Sequence, residues 1–226
     1  GAILFFLTAP ANTDFFFNDT ATTELYTEEN TLSLHDALPI SESVNPKIKT
    51  KVVFINEWFN PPKETEAAQS LMNAGADVLM QNTDSSAVLQ TAEKAGKYAF
   101  GWDSDMQAYA PNAHLASAII NWGPYYIQEV QKMLDGKWET GESWWGVKEG
   151  AIDLVSISDK VPADLKAKAE AAKAGLKDGS FVIWKGPILD QSGKEVLKKD
   201  EVADDTFLRG IKFFVKGVDA KMPGEK

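Results

Sequence analysis

The chain has 226 residues, of which 44% are apolar and 11% aromatic, enough to bury a core and consistent with one or two domains. Its formal charge of −10 is unevenly spread: residues 1–41 carry six acids and no Lys or Arg, leaving 23 basic against 27 acidic residues, a net of −4, in the remainder. That balance argues against a nucleic-acid or membrane-surface binder, and the lack of cysteine excludes a disulfide or a thiolate nucleophile within these residues.

The amino-terminal segment reads as foreign to the rest of the chain. Residues 18–27 (NDTATTELYT) and 31–40 (TLSLHDALPI) resemble the translation of the two fixed halves of a short-read sequencing adapter, with residues 28–30 in the place of its variable barcode. Leu25 stands where that translation has Ile. Residues 1–41 are therefore expected to be a non-native extension, and residues 42–226 the protein proper. The alternative is a signal-peptide core at Ala2–Leu7, but no basic residue precedes it, and the run is too short for a membrane span.

From Ser41 onward the pattern is regular. Lys51–Trp58 (KVVFINEW) is a β-branched and aromatic strand, followed by a Pro61-Pro62 helix start and a helix over Glu64–Asn73 whose apolar stripe is Ala67, Ala68, Leu71 and Met72. Gly75 ends that helix, and strand Val78–Gln81, helix Ala87–Lys94 and strand Tyr98–Gly101 follow. Strand–helix units in a row predict a doubly wound parallel α/β sheet. His114–Trp122 reads as another strand, Pro124 to Asp135 as a helix, Ala151–Ile157 as a strand and Pro162–Gly175 as a helix with a wet face. Beyond it, Phe181–Trp184 is expected to be a strand, residues 190–194 a hairpin loop, and residues 201–217 a turn and a short apolar helix.

In such a sheet the carboxyl ends of neighbouring strands share one edge, which is where open α/β sheets bind small ligands. Gln81, Asn82, Thr83 and Asp84 are then expected to face Trp102, Asp103 and Asp105, with Trp58 and, after it, Phe59 at the end of the first strand. Aromatic plates beside fixed donors and acceptors suit a flat polar molecule such as a nucleobase. The same residue types also serve turns and caps: Asp84 or Ser85 suits an N-cap, and Trp58 suits core packing.

The ordered motifs WFNPPKETEAAQSLMNAGADVLMQNTDS, AFGWDSDM, NWGPYYIQEVQKMLDGKW and WWGVKEGAIDL, between Val52 and Gly217, resemble the C-terminal part of the basic membrane protein family, substrate-binding proteins of ABC importers. The resemblance implies a type I periplasmic-binding-protein-like fold, truncated so that most of an N-terminal lobe is missing. It also implies a purine nucleobase or nucleoside ligand held between two lobes without chemistry, an ABC permease as membrane partner, no cofactor, a monomer when full length, and a periplasmic or otherwise extracytoplasmic location. In this family context Trp58 belongs to the pocket, and Lys148, in the Gly-x-Lys-x-Gly run Gly146–Gly150, reaches toward the ligand. A solvated loop lysine is the plainer reading of Lys148.

Two other function classes stand beside this one. A ligand-sensing receptor module of the same fold is not separable from an importer component by fold. An enzyme finds little support: outside residues 1–41 His114 is the single histidine, no phosphate loop or metal-ligand spacing occurs, and Asp103 with Asp105 form no metal-binding acidic cluster.

Overall fold

The computed structural model describes residues 3–8 and 49–219. Seven strands form one sheet in the order β6-β5-β4-β3-β1-β2-β9: β1 Ile3–Thr8, β2 Lys49–Phe54, β3 Val78–Asn82, β4 Tyr98–Asp103, β5 His114–Ile120, β6 Ile152–Val155 and β9 Val218–Asp219. All neighbours are parallel except β6, which runs antiparallel to β5. Helices α1 Pro61–Asn73 and α2 Ala87–Lys94 follow β2 and β3, and α3 Trp122–Leu134 leads from β5 toward β6. After β6 come α4 Ala163–Asp178, the antiparallel pair β7 Ile188–Leu189 and β8 Glu195–Leu197, and the short helix α5 Asp205–Arg209.

Strand alternation sorts the side chains into two cores. On one face Val53, Ile55, Leu79 and Ala99 meet the stripes of α1 (Ala67, Ala68, Leu71, Met72) and α2 (Val88, Leu89, Ala92). On the other, Val52, Phe54 and Met80 meet the carboxy-terminal layer of Trp184, Ile188, Leu197, Ile211, Phe214 and Val215. Each fully buried Leu or Val contributes about 1.5–3 kcal/mol over an exposed one. The helix stripe expected over residues 67–72 is the one that is buried, and Gly75 ends α1 at φ 104°, a conformation a side chain would strain.

Several boundaries differ from the expectation, each for a local reason. The first strand stops at Phe54 instead of continuing to Trp58, since Asn56 takes φ 57° and turns the chain. Helix α3 starts at Trp122, two residues before Pro124, because a first-turn proline surrenders no helical hydrogen bond and Asn121 caps Gly123 N–H. Residues 181–184 form no strand, and Phe214 and Val215 pack as loop residues beyond the five-residue α5. The hairpin expected at 190–194 is present: Asp190 Oδ1 accepts from Ser192 and Lys194 N–H at 2.8 and 3.0 Å.

Ile3–Thr8, placed by sequence within the expected extension, pairs along its whole length with β2 and over five residues with β3, the two strands it separates. A six-residue apolar run suffices for pairing with buried strands on both sides. The adapter-like residues 18–40 lie outside the described residues.

Candidate functional site

The carboxyl edge is organised by a buried acid. Glu64, fully buried in the first turn of α1, accepts Asn60 N–H at 3.0 Å through Oε1 and the hydroxyls of Thr83 and Ser85 at 3.0 and 2.6 Å through Oε2. Asn60 in return caps Lys63 N–H at 3.1 Å. This is the reciprocity of a capping box with a second task added, because the same carboxylate fixes the turn after β3 to the start of α1. The positive end of the helix dipole favours a carboxylate there. Gln81 Nε2 supports the turn from within by donating to Thr83 and Ser85 carbonyls at 3.1 and 2.8 Å. Across the edge, Asp84 N–H donates to the Trp58 carbonyl at 2.9 Å, so the loops after β2 and β3 are joined although β1 separates their strands.

On this frame sit groups whose polar capacity the described residues do not use. Asn82 is 1% exposed, and neither its Oδ1 nor its Nδ2 has a hydrogen-bond partner among them. An unpaired buried amide is costly, on the order of 1–3 kcal/mol, and is uncommon in a native fold. β3 and β4 pair in parallel at Val78–Tyr98 and Leu79–Ala99, and Asn82 and the half-buried Trp102 lie at the carboxyl ends of these two neighbouring strands. A side chain on Gly101 would lie 2.8 Å from Met106 Cβ, in the helix-side core, so alternation sends Trp102 to the opposite face, the face of Met80 and Asn82.

Asp84 and Asp103 cap the neighbouring strand ends. Asp84 reaches solvent but has one side against the protein, and this partial desolvation, together with the charges of Asp103 and Glu64, pushes its pKa up to about 6. Burial raises Asp103 also. Asp103 holds φ 67°, which aspartate tolerates better than most side chains but which is still strained. Two carboxyl groups held in environments that disfavour their charge are poised to gain from a hydrogen-bond donor.

The other expected residues divide. Trp58 is half-buried at the edge and Phe59 is largely exposed. Thr83 is buried with its hydroxyl given to Glu64, and Asp105 accepts from Ser156 Oγ and, at 3.1 Å, from Gln107 N–H, which lowers its pKa. Both enter the site as supports of its loops. Lys148 is exposed in the turn before β6, and since β6 runs antiparallel to β5, with Ile152 opposite Ile120, this turn lies at the same edge. His114 is buried, 2.8 Å from Ser117 Oγ, which also accepts Met106 N–H at 3.0 Å, and its Nδ1, like the Asn82 amide, has no hydrogen-bond partner among the described residues.

Glu64 is the functional-site residue the sequence reading missed; its signal was an acid in the first helical turn after Asn60-Pro61-Pro62, one position beyond the capping-box place held by Lys63. A groove of about 600 Å³ lies elsewhere, between α1 and α2, lined by Pro61, Pro62, Thr65, Gln69, Gln90 and Lys94. It contains none of the edge residues. Among the described residues no three His, Asp or Glu side chains are grouped to hold a metal ion, and no helix is long and apolar enough to cross a membrane.

Residues 42–183 match a family described as ABC transporter substrate-binding protein, PnrA-like. A purine-binding protein of Brucella abortus is 43% identical over 81% of this chain, which corresponds to 52% of that protein. Among solved structures, a transcriptional activator of the comK gene from Bacillus halodurans superposes with a TM-score of 0.64 at 17% identity, over 79% of this chain and 57% of its own. An ABC-transporter solute-binding protein from Conexibacter woesei does so at 0.56 and 20%, over 79% and 56%. These structural likenesses show the fold, that of periplasmic-type solute-binding proteins, and the chain spans about half the length of the proteins it matches.

Proposed function

The chain belongs to the Bmp family of PnrA-like ABC-transporter substrate-binding proteins, and from that premise we propose that its carboxyl edge is one wall of a cleft that captures a purine nucleobase or nucleoside without chemistry. The observation that carries this reading is the buried Asn82 amide with both polar atoms unpaired, at the end of β3, whose neighbour β4 ends in Trp102 and Asp103 and whose following turn bears Asp84. Trp102 supplies a face for a ring, with stacking worth about 0.5–1.5 kcal/mol beyond area burial. Asn82 both donates and accepts, which matches a base edge carrying both kinds of group. Asp84 and Asp103 accept from ring N–H, amino or ribose hydroxyl groups, and their raised pKa values reflect how much charged-state stabilisation a donor has to offer there. Trp58 borders the site, and Lys148 reaches it from the turn before β6. The purine-binding protein from Brucella abortus supports this ligand class by its likeness.

In the whole protein the second lobe closes over this wall, the loaded form is extracytoplasmic, and it delivers its ligand to an ABC permease. The experiment is calorimetry on a full-length protein in which residues 42–226 follow the amino-terminal half of the Brucella relative. Adenine, adenosine, guanosine and inosine are titrated. Micromolar or tighter binding of at least one, weakened at least tenfold by Asp103→Ala or Trp102→Ala, is expected. Heat from none of them contradicts the purine reading, and turnover of a nucleoside contradicts capture without chemistry.

A further inference from the structure

Strands β4 and β5 do not run in step. Ala99 stands opposite His114 and Gly101 opposite Ser117, so β5 takes three residue steps where β4 takes two. An extra residue of this kind bends and re-aims a strand; bulges are rare in parallel pairs and over-represented next to functional sites. Beyond the bulge the ladder is regular again, with Trp102 opposite Ala118 and Asp103 opposite Ile119. The register at the ligand-bearing end of β4 is therefore set between His114 and Ser117.

Those two residues are bonded to each other. On a regular strand, side chains three apart point to opposite faces, yet His114 Nε2 and Ser117 Oγ lie 2.8 Å apart, and both residues are buried. The bond spans the bulge and closes it. Ser117 Oγ also accepts Met106 N–H at 3.0 Å, which returns the loop after Asp103 to the same point. A hydroxyl has two lone pairs and one proton, so Ser117 can hold Met106 N–H and the His114 ring together. Gly101 makes room for this node: a Cβ there would sit 2.2 Å from Ser117 Oγ and 2.8 Å from Met106 Cβ. Met106 Sδ lies 3.5 Å from Gln81 Nε2, which donates to the Thr83 and Ser85 carbonyls in the turn after β3. One buried hydroxyl thus joins β5, β4, the loop after β4 and, through Met106 and Gln81, the turn beside Asn82.

We propose that Ser117, held by His114, is a positioning residue for the ligand wall: the bond between them locks the bulge of β5 against β4 and so fixes where Trp102 and Asp103 stand at the carboxyl edge. Both residues act through Gly101 and Met106. The proposal rests on the reading of that edge as a ligand wall, but the lock is measurable without a ligand.

The test uses the full chain labelled with 5-fluorotryptophan, the Trp102 fluorine resonance being assigned by Trp102→Phe, together with hydrogen exchange of the Met106 amide. Ser117→Ala and His114→Leu are expected to move the Trp102 resonance and to speed exchange at Met106 by about tenfold or more, the scale of one lost buried hydrogen bond. His114→Gln, which keeps a hydrogen-bonding group toward Ser117, is expected to restore both toward the parent. Leu197→Ala, in the core of the carboxy-terminal layer, loosens the fold elsewhere and is expected to leave both unchanged. In the two-lobe protein described above, Ser117→Ala is expected to weaken purine binding about fivefold or more, and His114→Gln to keep it near the parent. A Trp102 resonance and Met106 exchange unchanged in Ser117→Ala overturn the proposal, and so do changes that Leu197→Ala reproduces. A moved resonance with purine affinity intact also overturns it. Should Ser117→Ala not fold, His114→Leu against His114→Gln carries the same contrast. A parent that binds no purine removes the ligand assignment, while resonance and exchange still decide the lock.

Discussion

Helices α1 and α3 begin from the same kind of sequence and end in opposite environments. Each has thirteen residues, an Asn cap and an apolar stripe at helical spacing. The stripe of α1 closes on Leu79 and Ala99 of the sheet and on α2, whereas the stripe of α3 stands in solvent. Periodicity announces that a helix has a face to bury, but the body that receives it is set by topology: α1 connects two parallel strands of one sheet and is laid back upon it, while α3 joins an antiparallel pair and is free to leave.

That contrast is most strongly tested by truncation. Leu71→Ala or Leu89→Ala, both at fully packed sites, is expected to lower stability by about 2–5 kcal/mol, while Ile127→Ala in this chain changes it by less than about 0.5 kcal/mol. Denaturant unfolding monitored by circular dichroism measures both, and comparable losses at the two helices would mean that α3 is packed in solution after all.

The edge that α1 supports is next. Glu64→Ala removes the acceptor of Asn60 N–H and of the Thr83 and Ser85 hydroxyls, leaving buried donors without partners, and is expected to lower stability by about 3 kcal/mol. Hydrogen exchange should show the turn at residues 83–86 opening faster, with the carboxy-terminal layer unaffected. Exchange unchanged in that turn would deny Glu64 its linking role.

Two smaller effects have opposite pH signs. Asp84 titrates at about 6 in the folded protein against 3.8 unfolded, so the folded state holds the extra proton between these values, and the group's unfavourable contribution grows as pH rises from about 4 to 6. Asp84→Asn is expected to raise the melting temperature at pH 7.5 and to leave it nearly unchanged at pH 4. His114 behaves in reverse: burial lowers its pKa, so the unfolded chain binds the proton first and stability falls as pH drops through about 6.5. His114→Gln should flatten the profile there. Melting curves of the two variants from pH 4 to 8 separate the effects, and a common sign would contradict one of the two assignments.

How much of this is legible in the sequence varies with the physics involved. The order of β2, α1, β3, α2 and β4 follows from alternating runs and from Gly75, because those signals are local. Gathering Asn82, Asp84, Trp102 and Asp103 at one edge follows from the handedness of crossovers. The strand at Ile3–Thr8 escapes such a reading because no local spacing ties it to the units from Lys49 onward, although pairing asks only for an apolar run with a place between β2 and β3. The division of labour within the edge is not legible at all. Thr83 and Asn82 are adjacent polar residues, and only the packed position of Glu64 shows that Thr83 is committed to the frame while the Asn82 amide is left unpaired. Asp103 likewise gives no sequence sign of its positive φ.

The central claim is that the unsatisfied polarity at the carboxyl edge is kept for a ligand, and Asn82→Leu tests it most directly. Leucine has nearly the shape of asparagine but leaves no unpaired donor or acceptor in that buried position. In the protein completed by its second lobe, the account predicts a melting temperature equal to or above that of the parent and purine binding weakened at least tenfold by calorimetry. A variant that binds purine as tightly as the parent would contradict it.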